Sequence, residues 1–197
     1  MALARGAFRR ALAGHALAWK QRNHWRRYLH RYLAARSRLV AALAGAGVSG
    51  LPSGPVTYTL WARALLSSIG APACRPDLRV IVAWETAEGT SARFNPLATT
   101  FVLPGATVTP TSRVQSYDSF AQGIEATRHT FLSGMDYYNY ASVVDDLLSC
   151  APADATAAAI RDSYWCRGCA KGAYVINQLS GVREDWAGHA SRLVGFG

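Results

Sequence analysis

The sequence predicts a mainly α-helical domain with one small extended flap, preceded by a long basic helical arm. Three observations carry that reading. Apolar residues recur at intervals of three and four through most of the chain, the spacing that lines one face of a helix. The exception is Phe101 to Thr111, where valines and threonines surround a Pro104-Gly105 turn, a composition suited to a short hairpin or extended flap. Charge is also divided: of a formal +9 over 197 residues, 12 basic residues and no acid precede Asp77, whereas Asp77 to Gly197 carries a net −3. With half its residues apolar, the chain can bury one proper core and carry one appended segment.

In chain order, the arm comes first. Phe8, Leu12, Trp19, Trp25, Leu29, Tyr32, Leu33 and Leu43 mix spacings of three, four and seven, as one long helix or two with a break near Gly14 would. Arg9, Arg10, Lys20, Arg22, Arg26, Arg27, Arg31, Arg36 and Arg38 occupy its other faces. Such a face binds an acidic protein surface, phosphate or anionic lipid, or else is a solvated face of a packed helix. No base-reading motif accompanies the charge, so docking to a protein partner is the first expectation and nucleic acid or an anionic membrane the second. Arg9-Arg10 and the apolar residues after them faintly imitate a signal peptide, but the apolar part is short and broken by His15. No apolar run reaches the roughly 18 residues of a transmembrane helix.

A Gly-, Ser- and Pro-rich stretch from Gly45 to Pro55 marks a boundary. The division is an arm at 1–46, a linker at 47–56 and a domain at 57–197 with a cysteine-bearing C-terminal extension. Within the domain, Leu60, Trp61, Ala64, Leu65 and Ile69 put a helix over Thr57 to Ile69. Gly70, Pro72 and Pro76 turn the chain into a central apolar helix beginning at Asp77 and stopped by Gly89. After the flap, Ser119 caps a helix with Phe120, Ile124, Thr127 and Phe131 on one face, ended by Gly134. Further helices are predicted over Tyr137 to Leu148, over Ala153 to Ser163, and around Tyr174 to Leu179.

The four cysteines are Cys74, Cys150, Cys166 and Cys169. Cys166-Arg-Gly-Cys169 has the spacing of zinc knuckles and redox pairs, but a four-cysteine zinc site would need Cys74 and Cys150 to converge on it; disulfides and reduced thiols are the other states. The adopted reading requires no cofactor and no metal.

Glu85 and Glu88, in the last turn of the central helix, are the candidate chemical groups. Three apart on a helix, they are neighbours at roughly 5–6 Å between β-carbons. Like charges at that distance, partly buried beside Trp84, raise a shared pKa, as a general acid at neutral pH requires. A solvated surface role is the bland alternative.

More specific is the order Trp84, Glu88-Gly89, Ala92, Asn95-Pro96-Leu97, Thr99-Thr100, Gly105, Val114, Tyr117, Gly123, Ala126-Thr127. Over roughly Leu78 to Leu148 it resembles the lysozyme-like hydrolase domains of tail and lysis proteins from actinobacterial phages and prophages. Thr90 stands where those domains often have a second glycine, and Arg113 where they commonly have glycine before the valine. The resemblance implies a lysozyme-like fold and cleavage of the N-acetylmuramic acid to N-acetylglucosamine linkage, with Glu88 as the acid. One turn cannot readily supply carboxylates to both sides of a glycosidic bond. Glu85 is therefore expected as a tuning neighbour on the substrate side, with Asn95, Thr99, Thr100 and Tyr117 as cleft groups that bind sugar or position water. Those residues also have a packing reading, in which Asn95 and Thr99 bond backbone in turns and Tyr117 is a half-buried aromatic.

The implied function is a virion- or tail-associated muralytic protein that acts on host peptidoglycan, anchored to other virion proteins by its arm. The alternatives are a structural virion protein with an inactive lysozyme-like domain and a basic-arm binding module whose folded part is a spacer.

Overall fold

The structure, a computed structural model, describes residues 55–109, 113–166, 174–184, 188–189 and 192–194. The predicted arm, nearly all of the linker, and Cys169 lie outside the described residues. The described chain is mainly helical, as the periodicity predicts. Its helices are α1 (Tyr58–Ile69), α2 (Arg75–Glu88), α3 (Phe120–Ser133), α4 (Tyr140–Ser149), α5 (Ala153–Asp162) and α6 (Tyr174–Glu184), with a single 3-10 turn at Tyr164–Cys166. One antiparallel sheet joins β1 (Thr107–Val108) to β2 (Gln115–Ser116), with Thr107 opposite Ser116. No described helix is long and apolar enough to cross a membrane.

Helix α2 is the centre of the domain. Val80 to Glu85 are buried without interruption, and the helix packs against α1, α5 and α6. A Val-Ile-Val run costs a few tenths of a kcal/mol per residue in helix propensity. Burial of each such side chain contributes about 1.5–3 kcal/mol, so tertiary packing decides the conformation. Gly89 ends α2 in the left-handed conformation, φ 53°, and its N–H donates to the Glu85 carbonyl. Helix α1 is capped by Thr57, whose hydroxyl accepts from the Leu60 N–H at 3.2 Å.

Four elements differ from the sequence expectation. Helix α2 begins at Arg75 rather than Asp77, and Pro76 sits in its first turn, where the N–H that proline lacks would have no partner within the helix. The flap extends beyond Thr111 to β2, because its second strand, Gln-Ser, lacks a β-branched or aromatic signature and gains its place from long-range bonds. Helix α4 begins at Tyr140 rather than Tyr137: Asn139 is left-handed, φ 55°, and 135–139 form a turn in which the Tyr138 N–H donates to the Gly134 carbonyl at 3.0 Å. Helix α6 runs past Leu179 to Glu184, holding Val182 fully buried. Val56 and Tyr58 pair with the 192–194 segment, Val194 N–H to Val56 carbonyl at 2.8 Å and Tyr58 N–H to Arg192 carbonyl at 2.7 Å. Val56, linker by composition, is thus buried within the packed domain. Cys74 and Cys150 form a disulfide between the start of α2 and the end of α4, with 6.3 Å between α-carbons.

Candidate functional site

The two glutamates of α2 have separate environments. Glu85 is 0 % exposed, and neither carboxylate oxygen has a hydrogen-bond partner among the described residues. Burial pushes its carboxyl well above the usual range, and its charge in turn helps to raise the pKa of Tyr58 on α1. The expected cause was repulsion within the Glu85/Glu88 pair; desolvation is the cause instead. Glu85 belongs to the interior, with both carboxylate oxygens buried.

Glu88 is half-buried at the helix end. Its Oε1 accepts the indole N–H of Trp84, one turn earlier, at 3.3 Å and that of Trp165, on the 3-10 turn, at 2.9 Å. The two indoles meet edge to face with centroids 4.9 Å apart, and both pack on Phe131 of α3. Helix α2 supplies both the carboxylate and one of the indoles that hold it, the 3-10 turn supplies the other, and Phe131 of α3 packs on both indoles. Trp165 is 77 residues from Glu88 in sequence, and no local pattern there marks it as a partner. From Trp165 ring contacts run through the buried Tyr140 and the half-buried Tyr138 to the exposed Tyr164 and Tyr137, the last 83 % exposed. Gly134 lets the tyrosines close, since a β-carbon there would overlap the Tyr140 ring.

The segment after Gly89 is a loop held from inside. Asn95 is fully buried; its Nδ2 donates to the carbonyls of Thr99 at 2.9 Å and Gln115 at 2.6 Å, and its Oδ1 accepts the Thr99 N–H at 2.9 Å. Thr99 is also buried, its hydroxyl bonded to that of Thr130 on α3 at 2.6 Å. Tyr117 is 0 % exposed rather than half-buried, and its hydroxyl donates to the Phe101 carbonyl at 2.6 Å. Burial pushes its phenol up, an effect partly offset by a hydrogen bond with Thr99. Asn95, Thr99 and Tyr117 are therefore brought together with one another, tying loop, β2 and α3, and their polar groups are engaged inside the protein. Thr100 is exposed.

Two further residues of the quoted order, Gly123 and Thr127, have local structural roles, as do the two positions that depart from the resembled pattern, Thr90 and Arg113. Gly123 of α3 faces the Phe94 carbonyl, which an added β-carbon would overlap, and Thr127 bonds the Gly123 carbonyl at 3.0 Å. Thr90 accepts the Ala92 N–H at 3.0 Å, forming a local hydroxyl turn. Arg113 adopts φ 58°, the left-handed region for which glycine is the default.

The architecture defines a helical domain whose central helix ends in a carboxylate clasped by two indoles beside an internally bonded loop. Comparison with known proteins returns no match to a protein-family model, a curated protein or a solved structure.

Proposed function

We propose that this domain cleaves the glycan strand of bacterial peptidoglycan with Glu88 as general acid, as part of a virion-associated, tail-located muralytic protein. The observation that carries the reading is the setting of Glu88: a carboxylate at the mouth of a helix end, one oxygen held by two indole N–H groups, walled by aromatic surface. A fixed acid of this kind can protonate a glycosidic oxygen. The displacement is completed by water held by a second group, or by the substrate's own hydroxyl or acetamido group. Aromatic faces are the usual partners of sugar rings because C–H-rich faces pack on them while edges remain solvated, and the tyrosine surface leading to Tyr137 and Tyr164 suits that contact. The resemblance noted in the sequence adds support, since Arg113 holds the backbone conformation of a position where the resembled domains commonly have glycine.

Zymography on actinobacterial peptidoglycan tests it. The unmodified chain should clear the wall, and Glu88→Gln should reduce clearing by at least about 100-fold, the size of a lost general acid. Glutamine keeps an oxygen acceptor for both indoles, so thermal stability and tryptophan fluorescence should change little. Clearing that survives Glu88→Gln rejects the acid assignment.

One observation favours the second reading, a structural virion protein with an inactive domain: the 2.9 Å bond to Trp165 gives Glu88 a purely architectural task, tying the 3-10 turn to α2. On that reading the unmodified chain clears nothing, whereas disruption by Glu88→Ala still lowers stability. The basic arm remains the proposed anchor to other virion proteins, with nucleic acid or an anionic membrane as the alternative partners.

A further inference from the structure

Away from Glu88, at the opposite end of α2, Asp77 has no account in the fold. It is 0 % exposed, and neither carboxylate oxygen has a hydrogen-bond partner among the described residues. Asp77 stands three residues after the N-cap Cys74, where an acid commonly reaches back to bond the cap N–H. It does not do so here. Leaving a buried polar group unsatisfied costs on the order of 1–3 kcal/mol. Its carboxyl is pushed up to about 7, first by burial and then by the charge of Asp146 on α4.

What Asp77 does face is sulfur. The ligand atoms of Cys74, Asp77 and Cys150 all lie within 4.8 Å of one another. Cys74 opens α2 and Cys150 closes α4, both on backbone fixed by helix ends, with α-carbons 6.3 Å apart. Two zinc–thiolate bonds of about 2.3 Å at a tetrahedral angle hold sulfurs roughly 3.8 Å apart. That spacing requires the two sulfurs to swing apart about their α–β bonds while the helix ends stay where they are.

We infer that Cys74, Cys150 and Asp77 form a zinc-class divalent metal site when the disulfide is reduced, so that disulfide and metal are alternative closures of the same α2–α4 junction. The exchange is balanced. A dithiol delivers two electrons and two protons to the Sγ–Sγ bond and leaves as its own disulfide; with a phosphine, phosphorus gives the two electrons and water gives the two protons and the oxygen of the phosphine oxide, so that either route leaves two thiols. The ion then displaces to solvent one proton from each thiol and any proton that Asp77 holds, Asp77 binds as carboxylate, and water takes the fourth position. Two thiolates and one carboxylate against a dication leave the site with a single negative charge, and the Asp77 oxygens acquire the partner they lack.

The test uses the full chain carrying Cys166→Ser and Cys169→Ser, so that the other close cysteine pair cannot report. After anaerobic phosphine reduction, Co²⁺ should bind one per chain with a thiolate-to-cobalt charge-transfer band, displaced by Zn²⁺; the oxidised chain should show none. Cys74→Ser should abolish the band, and Asp77→Asn should weaken binding at least tenfold. Absence of the band from the reduced chain, or affinity unchanged by Asp77→Asn, overturns the proposal. Should Asp77→Asn fail to fold, X-ray absorption at the zinc edge of the reduced chain with Asp77 intact decides: two sulfur neighbours per zinc support the site, and none overturns it.

Discussion

Buried polar atoms separate the roles of residues that look alike in sequence. Glu85 and Glu88 are both last-turn glutamates, yet only Glu88 has described hydrogen-bond donors and partial exposure. Since the folded pKa of Glu85 is raised, its neutral form is the one the fold accommodates. Its contribution is fully present below the ordinary carboxylate range and is lost as pH rises through the raised value. The melting temperature of the unmodified chain should therefore fall through this group, which Tyr58 also faces, as pH rises above the ordinary carboxylate range. Glu85→Met, close in volume and without a charge to bury, should raise it by several degrees at pH 8 and by less at pH 5. A lower melting temperature at pH 8 in that variant would mean that the carboxylate is needed. Arg113 offers a second check. Its left-handed backbone carries a cost that glycine avoids, so Arg113→Gly should stabilise by about 0.5–1 kcal/mol in chemical denaturation.

At the scale of elements, the loop after Gly89 and helix α3 act as one unit. An alanine in place of a helical glycine ordinarily gains about 1 kcal/mol. At Gly123 the new β-carbon would overlap the Phe94 carbonyl and come within 3.0 Å of its carbon, backbone that cannot rotate away. Gly123→Ala should therefore lose at least about 2 kcal/mol, reversing the usual sign. If Glu88 works as proposed, the same variant should lose wall clearing as well, because Phe94 lies between the Asn95 network and the end of α2. Denaturant melts and zymography on one preparation read both effects. Asn95, Thr99 and Tyr117 explain why this loop can be irregular yet fixed: Asn95 and Thr99 are only four residues apart, but Gln115 and Thr130 bring in β2 and α3.

Across the whole molecule, the disulfide is the longest covalent constraint described, closing a 76-residue separation. Loop-closure entropy for that length corresponds to about 4 kcal/mol, and for a domain of this size to a melting shift of about 10 °C. Reduction should lower the melting temperature by that order in calorimetry; an unchanged value would show that α2 and α4 are held by packing alone. The 56–58 and 192–194 segments pair without a covalent link and bring the two ends of the packed domain together.

Helix existence was legible because period and caps are local: Thr57, Ser119, Gly70 and Gly89 mark ends that the backbone respects. The Asn95-to-Thr99 turn was legible in its packing reading for the same reason, as an amide bonding backbone four residues away. Glu88 could be singled out from the sequence, but its setting could not. Trp165 approaches it from 77 residues away, and Gln115 and Thr130 complete a network that no window of sequence contains. Which glutamate is buried, which cysteines pair and where Asp77 points were likewise decided only by tertiary structure, because desolvation and side-chain partners depend on which helices meet, whereas turn chemistry and helical period depend on neighbours along the chain.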